Sequence, residues 1–147
     1  MPENDLALLI EAAKRAAQIA LPLANGAAKY WEKEDGSGPV TEADLAVNDM
    51  LCTFMRNARP NYGWLSEETE DDHVRLEKRH CFVIDPIDGT RSFINGEKSW
   101  AHSFAITTDG VPTAAVVHLP ALDHLFVAEI RQGATLDSKP LAVSPQD

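Results

Sequence analysis

The spacing of hydrophobic residues changes once along this chain, and that change limits the folds open to it. Before residue 58, apolar side chains recur every three or four positions, which predicts helices over residues 4–29 and 41–57, the first kinked at Pro22. After residue 80, apolar residues gather in short segments separated by turn-forming residues, which is typical of strands. This order predicts an α+β fold, with two N-terminal helices packed on an antiparallel sheet.

The predicted strands are short and are separated by turns. They cover residues 81–84, 101–107, 113–118 and 125–130, with two further short strands at 135–136 and 141–143. Residues 32–40 and 69–79 are turn-rich or highly charged, so we expect loops there. Thr41-Glu42-Ala43-Asp44 is close to a capping box, which indicates where the second helix begins.

The charge and composition of the chain exclude several classes of protein. A formal net charge of −10 over 147 residues argues against binding to a nucleic-acid polymer or an anionic membrane surface. No apolar run approaches the roughly 20 residues that cross a bilayer. The acidic N-terminus lacks the basic start of a secretory signal, and Cys52 and Cys81 are interpreted as free thiols. These features predict a cytoplasmic protein.

Two acidic segments contain the residues best suited to hold a metal ion. One is Glu67-Glu68, and the other is Asp85-Pro86-Ile87-Asp88-Gly89-Thr90, which follows the apolar strand 81–84. Pro86 is expected to end that strand, Gly89 permits a close backbone approach, and residues 91–95 are predicted to form a helical turn. Because Mg²⁺ is commonly held by a few carboxylates together with substrate phosphates, this combination predicts a metal-assisted phosphate site.

Simpler interpretations exist for each of these residues taken alone. Asp85 and Asp88 could cap a turn, and Glu67-Glu68 could form a solvated acidic face. Asp44 could cap the second helix with Thr41, and Thr90 could cap the helical turn that follows it. Lys33 is a candidate to approach the site from its loop. The five histidines lack the paired spacing of a zinc site.

Three motifs resemble the inositol monophosphatase family of Mg²⁺-dependent phosphomonoesterases. They are Gly-Pro-Val-Thr-Glu-Ala-Asp (residues 38–44), Ser-Glu-Glu-Thr (66–69) and Asp-Pro-Ile-Asp-Gly-Thr-Arg-Ser-Phe (85–93), in the order in which the family has them. The resemblance implies hydrolysis of a small phosphate monoester by a metal-activated water, with two or three Mg²⁺ ions. It also implies a homodimer and a layered α/β/α/β/α sandwich, of which this chain would form the first layers.

The resemblance also assigns roles to individual residues. Glu67, Asp85, Asp88 and the backbone carbonyl of Ile87 match positions that hold metal. The phosphate-binding positions are Asp88, Gly89 and Thr90. The catalytic positions, which orient and activate the water, are Glu67, Thr90 and Asp44.

One departure from the family pattern affects how the chain is interpreted. The family has a downstream Trp-Asp-x-x-Ala-Gly motif, whereas Trp31, Trp64 and Trp100 are followed by Glu, Leu and Ala. The expectation is therefore that residues 1–147 are the N-terminal metal-binding domain and that the C-terminal domain is absent, either because this is the N-terminal half of a longer enzyme or because it is a naturally shortened relative.

Several functions stay open beside a phosphatase of the inositol monophosphatase type. One is a 3′(2′),5′-bisphosphate nucleotidase or a histidinol-phosphate phosphatase. Another is a metal-binding or dimerising fragment without turnover. Haloacid dehalogenase-like chemistry is disfavoured because two residues, instead of one, separate Asp85 from Asp88.

Overall fold

The structure is a computed structural model that describes residues 4–145, in which helices come first and strands follow. The acidic N-terminal stretch of the sequence therefore lies partly outside the described residues. Three α-helices are present in this range: α1 (Asp5–Ala20), α2 (Glu42–Ala58) and the short α3 (Thr90–Ile94). The strands are β1 (Tyr30–Glu32), β2 (Pro39–Thr41), β3 (Gly63–Ser66), β4 (His80–Asp88), β5 (Ala101–Thr108), β6 (Val111–Leu119), β7 (His124–Glu129), β8 (Gly133–Leu136) and β9 (Lys139–Pro140).

Seven strands form the main sheet in the order β3-β4-β5-β6-β7-β8-β9. Neighbouring strands from β4 to β9 pair antiparallel, as the short turns between them predicted. The sheet is nevertheless mixed, because β3 pairs parallel with β4. A parallel pair needs a long connection, and residues 67–79, which include a 3₁₀ turn at Val74–Glu77, provide it.

The two long helices cover one face of this sheet, so the predicted α+β class is confirmed. Helix α1 packs on β5 and β6, and α2 packs on β4 and on α1. Alternate strand residues point into this core, and they include Trp64, Phe82, Ile84, Phe104, Ile106, Ala114 and Val116. Because α2 packs on β4 through this core, the end of β4 is held in place relative to the start of α2. Within residues 4–145 no helix has both the length and the apolar character needed to cross a membrane.

Four local predictions differ from the structure, each for an identifiable reason. The first helix ends at Ala20, well before residue 29, because Pro22 lies in a 3₁₀ turn and the chain then turns through Asn25 and Gly26 at positive φ. Residues 30–41 contain the β1–β2 hairpin, where the turn-rich sequence predicts a loop over residues 32–40.

The other two differences lie at strand ends. Residues 141–143 are not a strand, because the last pairing is made by the two-residue β9 immediately before them. Strand β4 also continues to Asp88, although Pro86 was expected to stop it after Ile84. The ladder to β5 is irregular between Asp85 and Asp88, and proline is tolerated in strands at such irregularities. Cys52 and Cys81 are free thiols, as predicted.

Candidate active site

The candidate site lies where β4 leaves its regular pairing with β5. Asp85 pairs with Ser103 and Asp88 pairs with Ala101, so β4 has one more residue than β5 across this interval. Such a bulge redirects the backbone and the side chains on either side of it. Gly89 follows with a φ of 86° and is the N-cap of α3, whose first residue is Thr90. Thr90 is therefore not itself the cap.

These residues line one open cleft of about 250 Å³. The cleft brings together the predicted metal-binding residues and the predicted phosphate-binding residues from segments that are distant in the sequence. Its lining consists of Lys33, Ser37, Pro39, Glu67, Glu68, Asp85, Ile87, Asp88, Gly89, Thr90, Arg91 and Ser92. Six of the seven predicted site residues are in this set, and the seventh, Asp44, is buried behind it.

Glu67 is held beside the end of β4 by the parallel strand pair. Its backbone N–H donates to the carbonyl of Ile84 at 3.2 Å, which extends the pairing of β3 and β4 by one residue. The Glu67 side chain is exposed, whereas Ser66 immediately before it is buried and donates from Oγ to Asn48 Oδ1 of α2 at 2.6 Å. The acidic segment is therefore anchored through its neighbour, and its own carboxylate remains free to face the cleft.

Asp44 connects the start of α2 to Thr90. Its Oδ2 accepts from the Thr41 N–H at 2.9 Å and from the Thr41 hydroxyl at 2.6 Å, which completes the predicted capping box. Its Oδ1 accepts from the Thr90 hydroxyl at 3.0 Å, and that hydroxyl also lies 3.2 Å from the Ile87 carbonyl oxygen. Capping and contact with the site, which are alternatives for Asp44 in the sequence, are thus both present in the structure.

Lys33 reaches the cleft from the β1–β2 hairpin. Its Nζ donates to Glu68 Oε1 at 3.0 Å, and the Glu68 side chain is only 8% exposed. Burial raises the pKa of Glu68, while the ammonium of Lys33 opposes that shift. The charges of Lys33 and Glu68 largely neutralise each other in this ion pair. Glu68 therefore connects the hairpin to the site and is not a free carboxylate.

The acidic groups around Asp85 affect its ionisation. Burial, followed in importance by the neighbouring carboxylates of Asp88, Glu67, Asp44 and Glu68, raises the pKa of Asp85 to about 7. A carboxyl group surrounded by other carboxyl groups favours either a proton or a bound cation. All the donors here are oxygens, which is the ligand chemistry of hard divalent cations such as Mg²⁺.

The side chains alone do not form a closed metal cage. Nowhere in residues 4–145 do three or more His, Cys, Asp or Glu side chains converge into a cluster with the spacing of metal ligands. The carboxylates instead border a cleft that is open on one side. This arrangement suits Mg²⁺, which usually keeps several waters and binds through one or two carboxylates together with substrate phosphates.

A buried histidine, which is not among the predicted site residues, lies next to the site. His102 is fully buried, and its Nδ1 lies 2.6 Å from the carbonyl oxygen of Pro86, inside the bulge. In the sequence, the histidines are considered only as zinc ligands, on the basis of their spacing. The period-two pattern of His102, Phe104 and Ile106 is the available signal, because it puts the imidazole on the buried face of β5.

The chain resembles known proteins over nearly its whole length. It is 32% identical to an inositol monophosphatase from Mesembryanthemum crystallinum over an alignment 152 positions long, which covers 100% of this chain and 55% of that protein. It is 34% identical to a histidinol-phosphatase from Chlorobaculum parvum over 141 residues, which cover 95% of this chain and 53% of that protein. The chain thus spans about half the length of the curated relatives that it matches.

A solved structure shares the fold. The extragenic suppressor protein suhB from Bartonella henselae superposes with a TM-score of 0.85 at 28% identity, over 95% of this chain and 54% of that one. The fold and the site together place this chain among α+β proteins, with an acidic cleft beside the end of β4. The sequence model that describes the inositol monophosphatase family matches residues 1–147, and the chain belongs to that family.

Proposed function

We propose that this chain carries the metal-binding and phosphate-binding part of a Mg²⁺-dependent phosphomonoesterase. The observation that carries the proposal is the single cleft lined by Glu67, Asp85, Asp88, the Ile87 carbonyl and the Gly89-Thr90 turn. Residues 1–147 would then be the N-terminal metal-binding domain that the sequence predicted. The proposal is supported by family membership and by relatives named for phosphatase activity.

The residues present fit Mg²⁺ because they offer oxygen donors only. Glu67, Asp85, the Ile87 carbonyl and Asp88 would hold two or three ions, with waters and the substrate phosphate as the remaining ligands. When bound, such ions lower the pKa of a coordinated water and stabilise the leaving oxygen. Asp88, Gly89 and Thr90 would hold the phosphate group.

Thr90 and Asp44 have the geometry of a proton-handling pair. Since Asp44 Oδ1 accepts the Thr90 hydroxyl proton at 3.0 Å, the lone pairs of Thr90 Oγ1 can accept a hydrogen bond from the attacking water. Glu67 lies on the same cleft and is exposed, so its carboxylate is available to orient that water and to receive its proton. Asp44 itself is 1% exposed, so it acts through Thr90 and does not touch substrate.

The substrate would be a small phosphorylated metabolite. An inositol phosphate is the first candidate, in keeping with the relative from Mesembryanthemum crystallinum. Histidinol phosphate is the alternative that the relative from Chlorobaculum parvum favours. A 3′(2′),5′-bisphosphate would suit Arg91, whose exposed guanidinium borders the cleft and has the fork geometry for a second anionic group.

A second candidate function is a metal-binding or dimerising module without turnover. It is favoured by the span of about half the relatives' length. The homodimer and the cytoplasmic location stay predictions.

Phosphate release by the purified chain tests the proposal. Inositol 1-phosphate, adenosine 3′,5′-bisphosphate and histidinol phosphate would each be offered with and without Mg²⁺, beside an Asp88→Asn variant. Release that needs both Mg²⁺ and Asp88 is the expected result, and the preferred substrate names the class. Mg²⁺ binding without release by the folded chain would favour the second candidate. Neither binding nor release would refute the proposal and the metal-binding form of the second candidate.

A further inference from the structure

The bulge in β4 interrupts the regular strand pairing at Pro86 and Ile87. Asp85 and Asp88 pair with Ser103 and Ala101, so Pro86 and Ile87 together face the single residue His102. Pro86 is buried, and a buried carbonyl without a hydrogen bond costs about 1–3 kcal/mol. The Nδ1 of His102 lies 2.6 Å from the Pro86 carbonyl oxygen and gives this carbonyl a hydrogen bond inside the bulge.

The chemistry of this contact determines the tautomer of His102. A carbonyl oxygen can only accept, so Nδ1 must carry the proton and donate it. The Nε2 atom is buried and has no hydrogen-bond partner among the described residues. Burial lowers the pKa of His102 to about 4, which keeps the ring neutral near pH 7.

Aromatic neighbours hold the ring in this orientation. The indole of Trp100 packs edge-on at 5.6 Å between ring centroids, and the ring of Phe104 stacks at 5.9 Å. His102 is also 0% exposed, so the ring has no room to rotate away. A rigid donor is therefore aimed at the segment that bears Asp85, Ile87 and Asp88.

We propose that His102 is a positioning residue, which holds the bulged segment 85–88 in the shape that turns its oxygen donors toward the cleft. The expected effect on metal affinity rests on the proposed function, whereas the role of His102 in holding segment 85–88 does not. Without the hydrogen bond from His102, the Pro86 carbonyl would have to accept from another donor, and the backbone of the bulge would change its conformation. Partners that orient ligand-bearing groups in this way typically change metal affinity by about 10- to 100-fold when they are removed.

The test compares three variants of the whole chain by two measurements. His102→Leu removes the donor, and His102→Asn keeps an N–H near the position of Nδ1. His118→Leu is the matched control, because His118 lies opposite His102 in β6 and also has an unpartnered buried ring nitrogen, yet its backbone partner is Ala13. The measurements are Mg²⁺ affinity by calorimetry and hydrogen exchange of segment 85–88 without metal.

We expect faster exchange in segment 85–88 and at least about tenfold weaker Mg²⁺ binding for His102→Leu. His102→Asn should restore both, and His118→Leu should leave both unchanged. Unchanged exchange in His102→Leu, or equal changes in His118→Leu, would overturn the inference. If exchange responds as expected but the wild-type chain binds no Mg²⁺, the proposed function fails while the structural role of His102 stands.

Discussion

The site depends on residues that satisfy several partners at once, and Asp44 is the clearest example. Its two carboxylate oxygens accept three hydrogen bonds, two from Thr41 and one from Thr90. One side chain therefore both begins a helix and fixes a hydroxyl in the cleft. Because Asp44 is 1% exposed, water cannot take the place of its carboxylate as the acceptor of these hydrogen bonds.

Replacing Asp44 should cost more than an ordinary helix cap. We expect Asp44→Ala to lower the free energy of unfolding by about 2 kcal/mol or more, because the two buried donors of Thr41 lose their acceptor. The Thr90 hydroxyl keeps the Ile87 carbonyl as its acceptor. Urea denaturation would measure the change. The matched control is Asp49→Ala on the same helix, where the side chain is exposed and the effect should be within about 0.5 kcal/mol. Equal losses in both variants would contradict the assigned network.

Asp85 should titrate far from the usual range of an aspartate. With its pKa raised to about 7, it is protonated in the metal-free chain at mildly acidic pH, and a cation must displace that proton. Mg²⁺ affinity should therefore fall as the pH drops below about 7, and added Mg²⁺ should lower the titration midpoint of Asp85. Carboxyl ¹³C chemical shifts against pH would measure this, and a midpoint at 3.8 would contradict it.

At the scale of elements, the junction between β4 and α3 is the most constrained part of the site. The chain must leave the bulge, pass Gly89 and begin a five-residue helix at Thr90. A Cβ at Gly89 would lie 3.2 Å from the Ser99 carbonyl oxygen, and the φ of +86° disfavours any L side chain. Both backbone shape and close packing therefore require glycine here.

Gly89→Ala should destabilise the chain and displace Thr90. The backbone strain alone is worth about 1–2 kcal/mol, and the contact with Ser99 adds to it. Gly110→Ala separates the two effects, because Gly110 has a φ of +81° but a Cβ added there would meet no atom within 4 Å. Thermal unfolding of both variants would give the difference, and a Gly110→Ala loss as large as that of Gly89→Ala would refute the packing contribution.

At the scale of the whole molecule, buried ionisable groups link stability to pH. His102 has its pKa lowered to about 4 from 6.5, so between these values the unfolded chain binds a proton that the folded chain does not. Stability contributed by neutral His102 is complete above pH 6.5 and is lost as the pH falls toward 4. This effect belongs to the global unfolding equilibrium.

The acid sensitivity should therefore diminish when His102 is replaced. We expect the wild-type chain to lose up to about 3 kcal/mol more than His102→Leu between neutral pH and pH 4. Urea denaturation at several pH values would measure the two curves. Parallel curves would show that His102 does not contribute to acid unfolding, whatever the difference between the variants at neutral pH.

Hydrophobic spacing predicted most of the elements, but not how they meet. The helices and the antiparallel strands follow from local patterns, whereas the parallel pairing of β3 with β4 depends on the path of residues 67–79. The acidic residues of the cleft could be predicted because they follow strand ends or a turn. The contact of His102 with Pro86 could not, because it requires knowing which residue faces the bulge.

The packing of α1 has a consequence for synthesis on the ribosome. Helix α1 precedes the other elements of the described fold, yet the strands on which it packs, β5 and β6, end only at Thr108 and Leu119. After Ala20, about a hundred further residues are translated before β6 is complete, which takes several seconds at about 5–20 residues per second. Until β5 and β6 are translated, α2 is the only one of the long elements packed on α1 that can cover its apolar face. The side of α1 that packs on the sheet is thus open to chaperones and proteases during that interval, and it is buried once β6 is complete, before β7, β8 and β9 are added.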